Sequence, residues 1–267
     1  MKSKLLVSLF AMIIVGSLCG ASFASTPGVY IDDQFGGTAL NSSYWTNVST
    51  GGGSATVASN QLTLQANGYG NPGAVMSVAA VHPGAGQTVT LTTNVTYIGG
   101  NEWDFDKIFG FTSDTTDPWA SGAGIYFVQG EPGSTQGQGI WALNMNDGVH
   151  GTQTYYLNTD GNWRSMSGPT IFTWTATSFT WQRYDPWTNG GQYYTVFDSS
   201  TMAPLQGGSW NIPTVDMHVI ANTFCNQYQF GLNSAQLQVT AVPEPSSLLA
   251  LSGLFAPLGF ALLRKKK

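Results

Sequence analysis

Glu102, Asp104 and Asp106 stand at alternate positions in the stretch GGNEWDFDK, Gly99 to Lys107. A spacing of two is the strand period, so on a strand the three carboxylates share one face. Carboxylates presented that way suit the acid and nucleophile of glycosidic-bond cleavage. A retaining pair works with its carboxyl groups about 5–5.5 Å apart. Positions i and i+4 of a flat strand lie about 13 Å apart at Cα, so a bulge and long side chains must close the gap. Asp106 is also one methylene shorter than the glutamate such a pair favours. The Gly-Gly turn directly upstream reads as a strand end, which places the cluster in a polar connection ahead of IFGF. There the same residues suit a solvated acidic loop, or a calcium site at Asp104 and Asp106, because calcium takes several oxygen ligands.

Other chemistry is thinner. His82, His150 and His218 are scattered, which gives zinc no support. No Gly-x-Ser-x-Gly and no phosphate loop occurs. Asp32 and Asp33 form a second acidic pair on an opening strand, where acids also discourage edge-to-edge aggregation. The nine tryptophans all fall between residues 25 and 242. Trp45 and Trp181 read as core. Trp119 in TDPWASG, Trp163 in TDGNWRS and Trp187 in YDPWTNGG sit among turn residues. Loop tryptophans there offer flat apolar faces for sugar rings, or else close the end of the fold as lids. These three are the candidate ligand-binding residues.

The elements that must position these groups are strands. Short β-branched and aromatic runs alternate with turn clusters such as GGGS, GNPG, IGGN, NDG and TNGG, and no helix is expected between residues 25 and 242. The expected strands are Val29–Phe35, Gln61–Gln65, Ala74–Ala79, Thr88–Tyr97, Lys107–Thr112, Gly124–Gln129, Gly139–Asn144, Gln153–Leu157, Ser178–Tyr184, Gln192–Phe197, Val215–Ala221, Tyr228–Gly231 and Ala235–Val242. Alternation puts Val89, Leu91, Thr93, Val95 and Tyr97 on one face, and Phe179, Trp181 and Arg183 on another. About thirteen short strands predict an all-β, antiparallel sandwich.

The chain ends carry addresses. Lys2 and Lys4 precede the apolar run Leu5–Leu18, and small residues Ser22 and Ala24 fit the −3 and −1 positions of a cleavage after Ala24. This reads as a signal helix over residues 1–24, removed by signal peptidase. Leu18 is too bulky for Cys19 to begin a lipoprotein. At the other end, Leu248–Leu263 is an uncharged stretch of 16 residues followed by Arg264 and three lysines. As a transmembrane helix it spans about 24 Å, short of a core of about 30 Å, and snorkelling by Arg264 absorbs the mismatch. The basic cluster keeps that end cytoplasmic. Residues 25–241 then form one exported domain. Its three cations against thirteen acids leave a net charge of −10. That excludes nucleic acid as a partner and disfavours acidic polysaccharide. Cys225 is its sole cysteine, so no internal disulfide can form.

Pro243, Glu244 and Pro245, then the apolar segment, then the basic terminus, closely resemble a PEP-CTERM sorting signal over residues 242–267. The resemblance implies recognition by an exosortase in the inner membrane, cleavage near Pro-Glu-Pro, and a Gram-negative host that makes exopolysaccharide and biofilm. The opening strand ending at Phe35, the stretch GGTALNSSYW, a hairpin ending in QLTL, then IFGFTS and AQLQVTAV resemble the concanavalin A-like lectin/glucanase superfamily. That implies a jelly roll of two antiparallel sheets. Glycosidases of that superfamily carry Glu-x-Asp-x-Glu, which Glu102 and Asp104 match and Asp106 departs from. The resemblance also implies a calcium near the opening and closing strands, with Asp32 or Asp33 as ligand together with Asp216 or a backbone carbonyl. No other cofactor is implied. The leading expectation is an exported, exosortase-sorted envelope or matrix protein with a non-catalytic, polysaccharide-binding sandwich. The alternatives are a glycoside hydrolase or polysaccharide lyase using Glu102 and Asp106, and a purely structural or adhesive matrix protein.

Overall fold

The computed structural model describes residues 24–68, 70–99, 106–116, 122–130, 138–156, 164–165, 167–185, 191–223 and 229–241. The leader, the tail, Glu102, Asp104, Trp119, Trp163, Trp187, Pro243, Glu244, Pro245 and Arg264 lie outside them. Among the described residues no helix is long and apolar enough to cross a membrane.

Two antiparallel sheets of eight strands pack face to face. The first runs β14 (Gln192–Asp198), β13 (Phe179–Asp185), β12 (Gly168–Thr175), β6 (Gln87–Gly99), β16 (Gln229–Ala241), β4 (Gln61–Gln65) and β3 (Ser54–Ala58), with β1 (Gly28–Asp33) also paired to β16. The second runs β10 (Thr152–Tyr156), β9 (Gln138–Asn146), β8 (Gly124–Gly130), β7 (Asp106–Thr112), β15 (Met217–Thr223), β5 (Gly73–Val81) and β2 (Trp45–Asn47), with β11 (Arg164–Ser165) on β9.

The expected alternation is what builds the core. Val89, Leu91, Thr93 and Val95 are buried, as are Phe179, Trp181 and Arg183. Rings from the two sheets interlock between them. Phe109 meets Phe172 at 5.8 Å, Phe111 meets Trp174 at 5.5 Å and Phe127 meets Trp181 at 4.2 Å between centroids. Each fully buried ring of this size contributes about 1.5–3 kcal/mol.

Several sequence-based boundaries are corrected. Two separate strands were expected at Tyr228–Gly231 and Ala235–Val242, but one strand, β16, runs through both with a register shift between Leu232 and Ser234. Asn233 occupies that bulge. Its amide accepts from Gln61 Nε2 (2.7 Å) and donates to Thr96 Oγ1 (2.8 Å), which satisfies the irregular spot locally. The strand expected at Lys107 begins at Asp106, which pairs with Gln129 of β8. Strand β12 is not among the strands expected from sequence; Pro169 stands at its second position, where proline is tolerated near a strand's beginning. The hairpin ending in QLTL is present as β3–β4. Its two-residue turn has Ser59 and Asn60 at φ 54° and 60°, the left-handed pair that matches strand twist.

The strands divide the molecule into two poles. Gly28 pairs with Val239, and Gln87 with Ala241, so both ends of the described chain leave at one pole. Gly99 pairs with Gln229 at the other. That distal pole is where β6 ends and β7 begins. At the proximal pole Ser25 is fixed to the β5–β6 connection. Its N–H donates to the His82 carbonyl (3.2 Å), its Oγ accepts from His82 N (2.9 Å), and its carbonyl accepts from Gln87 Nε2 (3.0 Å).

The acidic pair on β1 is split by strand alternation. Asp32 is exposed opposite Gln236. Asp33 is buried, accepting from Phe35 N (2.8 Å) and from Trp45 Nε1 (3.1 Å). These bonds hold Phe35 at a φ of 50° and link the first sheet to β2 of the second. Asp33→Ala leaves the Trp45 indole N–H buried without its acceptor. It is expected to lower unfolding stability by about 2 kcal/mol, with Asp33→Asn losing clearly less. Urea melts that show no difference between Ala and Asn would refute this role.

The β9–β10 turn offers a second test. Asp147 Oδ1 accepts from Val149 N and His150 N, each at 2.9 Å, and Oδ2 lies 2.7 Å from His150 Nδ1. Burial works to raise this carboxyl. The bonds from His150 backbone and ring and from Val149, with the charge of His150, outweigh it and hold the carboxyl below the ordinary 3.8. A depressed folded-state value means the turn's contribution is fully present above 3.8 and is lost as pH falls through the lower folded value. Acid titration of the wild type should therefore lose more stability below that point than Asp147→Asn does; parallel curves would contradict the assignment.

Candidate functional site

The face of the second sheet turned away from the core holds the candidate site. Phe109, Phe111, Ile125, Phe127, Leu143 and Met145 point into the sandwich. Their strand neighbours therefore line the opposite face. Register places Thr154, Asn144, Tyr126, Gly110, Ile220 and Met76 in one row across β10, β9, β8, β7, β15 and β5. The row's middle is apolar and covered. Met76, Tyr126, Ala142 and Ile220 form a small cluster of their own, with Val48 packed against it. Tyr126 Oη donates to Thr112 Oγ1 at 3.1 Å. Glycine is required at 110, because a Cβ there would lie 2.0 Å from the Ile125 carbonyl oxygen.

The β9–β10 side of this face is different. Asn144 sits between Tyr126 and Thr154 in register. Its Oδ1 is occluded and has no hydrogen-bond partner among the described residues. A buried acceptor left without a donor costs about 1–3 kcal/mol, so a hydroxyl or amide that reached it would be bound favourably. Thr152 is exposed beside it, and Tyr156 presents its ring at 42 % exposure. Asn146 Oδ1 is occupied by Gly148 N at 2.8 Å, which tightens the turn below. Amides, hydroxyls and one tyrosine ring are groups that bond and stack with neutral hydroxylated molecules.

Of the residues singled out from sequence, Glu102, Asp104, Trp119, Trp163 and Trp187 lie outside the described residues. Asp106 is the one acid within the eight strands of the second sheet, at the start of β7. The strands flanking Glu102 and Asp104 (β6 and β7), Trp163 (β10 and β11) and Trp187 (β13 and β14) end or begin at the distal pole. Those flanking Trp119 (β7 and β8) meet it from the proximal pole. Asp33 has both carboxylate oxygens engaged by N–H donors, and Asp216 Oδ1 lies 2.6 Å from His82 Nδ1. Among the described residues no group of three or more His, Cys, Asp or Glu is placed to hold a metal. Asn144, Thr154 and Tyr156 were missed as site residues. The signal was present in IWALNMN, where apolar Leu143 and Met145 inward force Asn144 outward.

No protein-family model matches the chain, and no curated protein does. Solved structures do match its fold. The endo-1,3-β-glucanase of Streptomyces sioyaensis aligns at a TM-score of 0.50 and 11% identity, covering 82% of this chain and 100% of its own. The exoplasmic/lumenal domain of VIP36, bound to Ca2+ and Man3GlcNAc, aligns at 0.51 and 11%, covering 79% and 90%. The CBM2 module of the evolved Dit protein from Lactobacillus casei BL23 phage J-1 aligns at 0.51 and 10%, covering 83% and 99%. At such identities the likeness is one of backbone: the chain has the jelly-roll sandwich of concanavalin A-like lectins and glucanases.

Proposed function

We propose that this is an exported, exosortase-sorted protein of the cell envelope or extracellular matrix whose sandwich binds neutral polysaccharide without cleaving it. The observation that carries the binding half is the orphan Oδ1 of Asn144, set beside Thr154 and an exposed Tyr156. A sugar hydroxyl supplies the missing donor, and the tyrosine ring offers a face for the sugar's C–H groups. The net charge of −10 on residues 25–241 favours a neutral glycan over an acidic one. Neighbours of the same fold include a domain with Man3GlcNAc bound, a CBM2 module and a glucanase, which supports saccharide as the ligand class. Support for sorting comes from Pro243-Glu244-Pro245, the apolar run and the basic terminus. Both described chain ends leave at one pole, so a leader and a tail seated in one membrane impose no strain on the sandwich.

Cleavage is the second reading, and one observation favours it: β7 begins at Asp106, so a pair with Glu102 starts from a strand of the second sheet. A hydrolase or lyase would release reducing ends from the glycan it binds. Calcium at Asp104 and Asp106, or through the exposed Asp32, would raise the melting temperature and be reversed by chelator.

A panel of neutral glycans, including 1,3-β-glucan and mannose oligosaccharides, tests the leading reading. The wild type is expected to bind at least one member without releasing reducing ends. Asn144→Leu is expected to fold with equal or greater stability and to bind at least tenfold more weakly, because it removes the acceptor while filling the space. A wild type that binds nothing, or an Asn144→Leu variant that binds equally well, would sink it.

A further inference from the structure

The proximal pole holds an acceptor for a chain end. Ser25 bonds through all three of its polar atoms, N, Oγ and O, to residues 82 and 87. The receiving loop is itself braced. Gln87 Oε1 accepts from Gly84 N at 2.9 Å, and the buried His82 ring is tied to Asp216 at 2.6 Å. Ala24 packs directly on Gly84, where a Cβ would meet the Ala24 Cβ at 2.3 Å. One residue on, Tyr30 Oη donates to the Thr26 carbonyl (2.7 Å), which directs the segment into β1.

We infer that Ser25 is the processed amino terminus and that the loop of residues 82–87 is its docking site, completed by the cleavage itself. The inference rests on the export reading, and adds to it a structural consequence. Hydrolysis adds water across the Ala24–Ser25 peptide bond. The hydroxyl goes to the Ala24 carbonyl carbon, which leaves as a carboxylate. The proton goes to the Ser25 nitrogen, which becomes an ammonium at neutral pH, since a free α-amine titrates near 7.7–8.0. The neutral N–H at 3.2 Å from the His82 carbonyl thereby becomes a charged donor. Charge-assisted bonds are shorter and roughly twice as strong as neutral ones. The new cation thus meets the carbonyl oxygen of His82, whose ring in turn lies 2.6 Å from the Asp216 carboxylate. Cleavage thus tightens the clasp that binds the start of β1 to the β5–β6 loop, and the mature end is drawn out of reach of aminopeptidases.

The full-length gene, expressed with its own leader in a Gram-negative host, provides the test. Intact mass of the exported protein is expected to show Ser25 as the first residue. In that protein the His82 amide, which donates to Ser25 Oγ, is expected to exchange roughly fivefold more slowly than in Ser25→Ala, the worth of one hydrogen bond of about 1 kcal/mol. The Ser25 α-amine is expected to be acylated by an amine reagent at least fivefold more slowly than the α-amine of a peptide with the same first residues. A protein that retains its leader, or begins elsewhere, overturns the export reading and the inference with it. A protein that begins at Ser25, but shows equal His82 exchange in Ser25→Ala and a peptide-like acylation rate, overturns the docking inference alone. Should Ser25→Ala be poorly secreted, Gln87→Ala removes the bond to the Ser25 carbonyl from the loop side and is expected to speed acylation.

Discussion

The contact on which everything else rests is the aromatic seam between the sheets. Cys225 is the sole cysteine after residue 24, so no disulfide can tie one sheet to the other. The seam must do so through packing, with Phe127 against Trp181 at its tightest point and Phe172 stacked on Trp181 at 5.8 Å. Polar groups inside it are placed rather than excluded. The Trp181 indole donates to Thr170 Oγ1, and the Arg183 guanidinium lies 5.5 Å above the centre of the Phe127 ring. A buried cation carries a desolvation cost that a ring face offsets only in part. Its presence at the seam makes the packing there specific in position as well as strong.

That seam dictates what the rest of each strand can do. A β-strand offers two faces, and the core takes one of them completely. On β7, β8 and β9 the described inward side chains, Phe109, Phe111, Ile125, Phe127, Leu143 and Met145, are all apolar, so no polar function can be built among them without opening the core. The opposite positions face away from that core, and there the chain has Asn144, Asn146, Thr112 and Tyr126. The outward face of the first sheet, by contrast, is an uncovered field of threonine and glutamine, as in Thr90, Thr92, Gln236 and Gln238. Its side chains reach water and ask for no partner. The orphan acceptor of Asn144 therefore lies on the covered part of the second sheet's outward face.

Strand alternation explains why the fold was readable from the sequence and the site was not. Periods of two in TVTLTTNVTYI and SFTWQRY identified the inward residues correctly, down to Arg183, because burial of one face is a local property of the strand. The opening strand and the QLTL hairpin carried the jelly-roll resemblance, and the structural neighbours share that fold. Which strands lie side by side is non-local. Asn144 and Thr154 come together through the β9–β10 turn, but Tyr126, Gly110 and Ile220 join them only through the sheet order. The bulge at Asn233 was hidden for a related reason: it is stabilised by Gln61, 172 positions away in sequence. The acidic stretch drew attention because its spacing is local. The described strands on either side show β6 ending and β7 beginning at the distal pole, with Asp106 the first residue of β7.

The same division between faces explains how so little identity can accompany a shared backbone. Inward positions accept any apolar residue of suitable volume, so 10 or 11% identity suffices to keep the sandwich. Outward positions on the second sheet outside the Met76, Tyr126, Ala142 and Ile220 cluster are less constrained by packing, and a shared fold leaves their chemistry open. A cutting site needs two carboxyl groups at a set separation, about 5–5.5 Å for retention and 6.5–9.5 Å for inversion. Asp106 is the one acid within the eight described strands of the second sheet, so these strands alone do not supply such a pair. A holding site needs only hydrogen-bonding groups on rigid elements. Asn144 and Thr154 stand on adjacent paired strands, closed by the Asp147 turn, and that is the more rigid of the two arrangements.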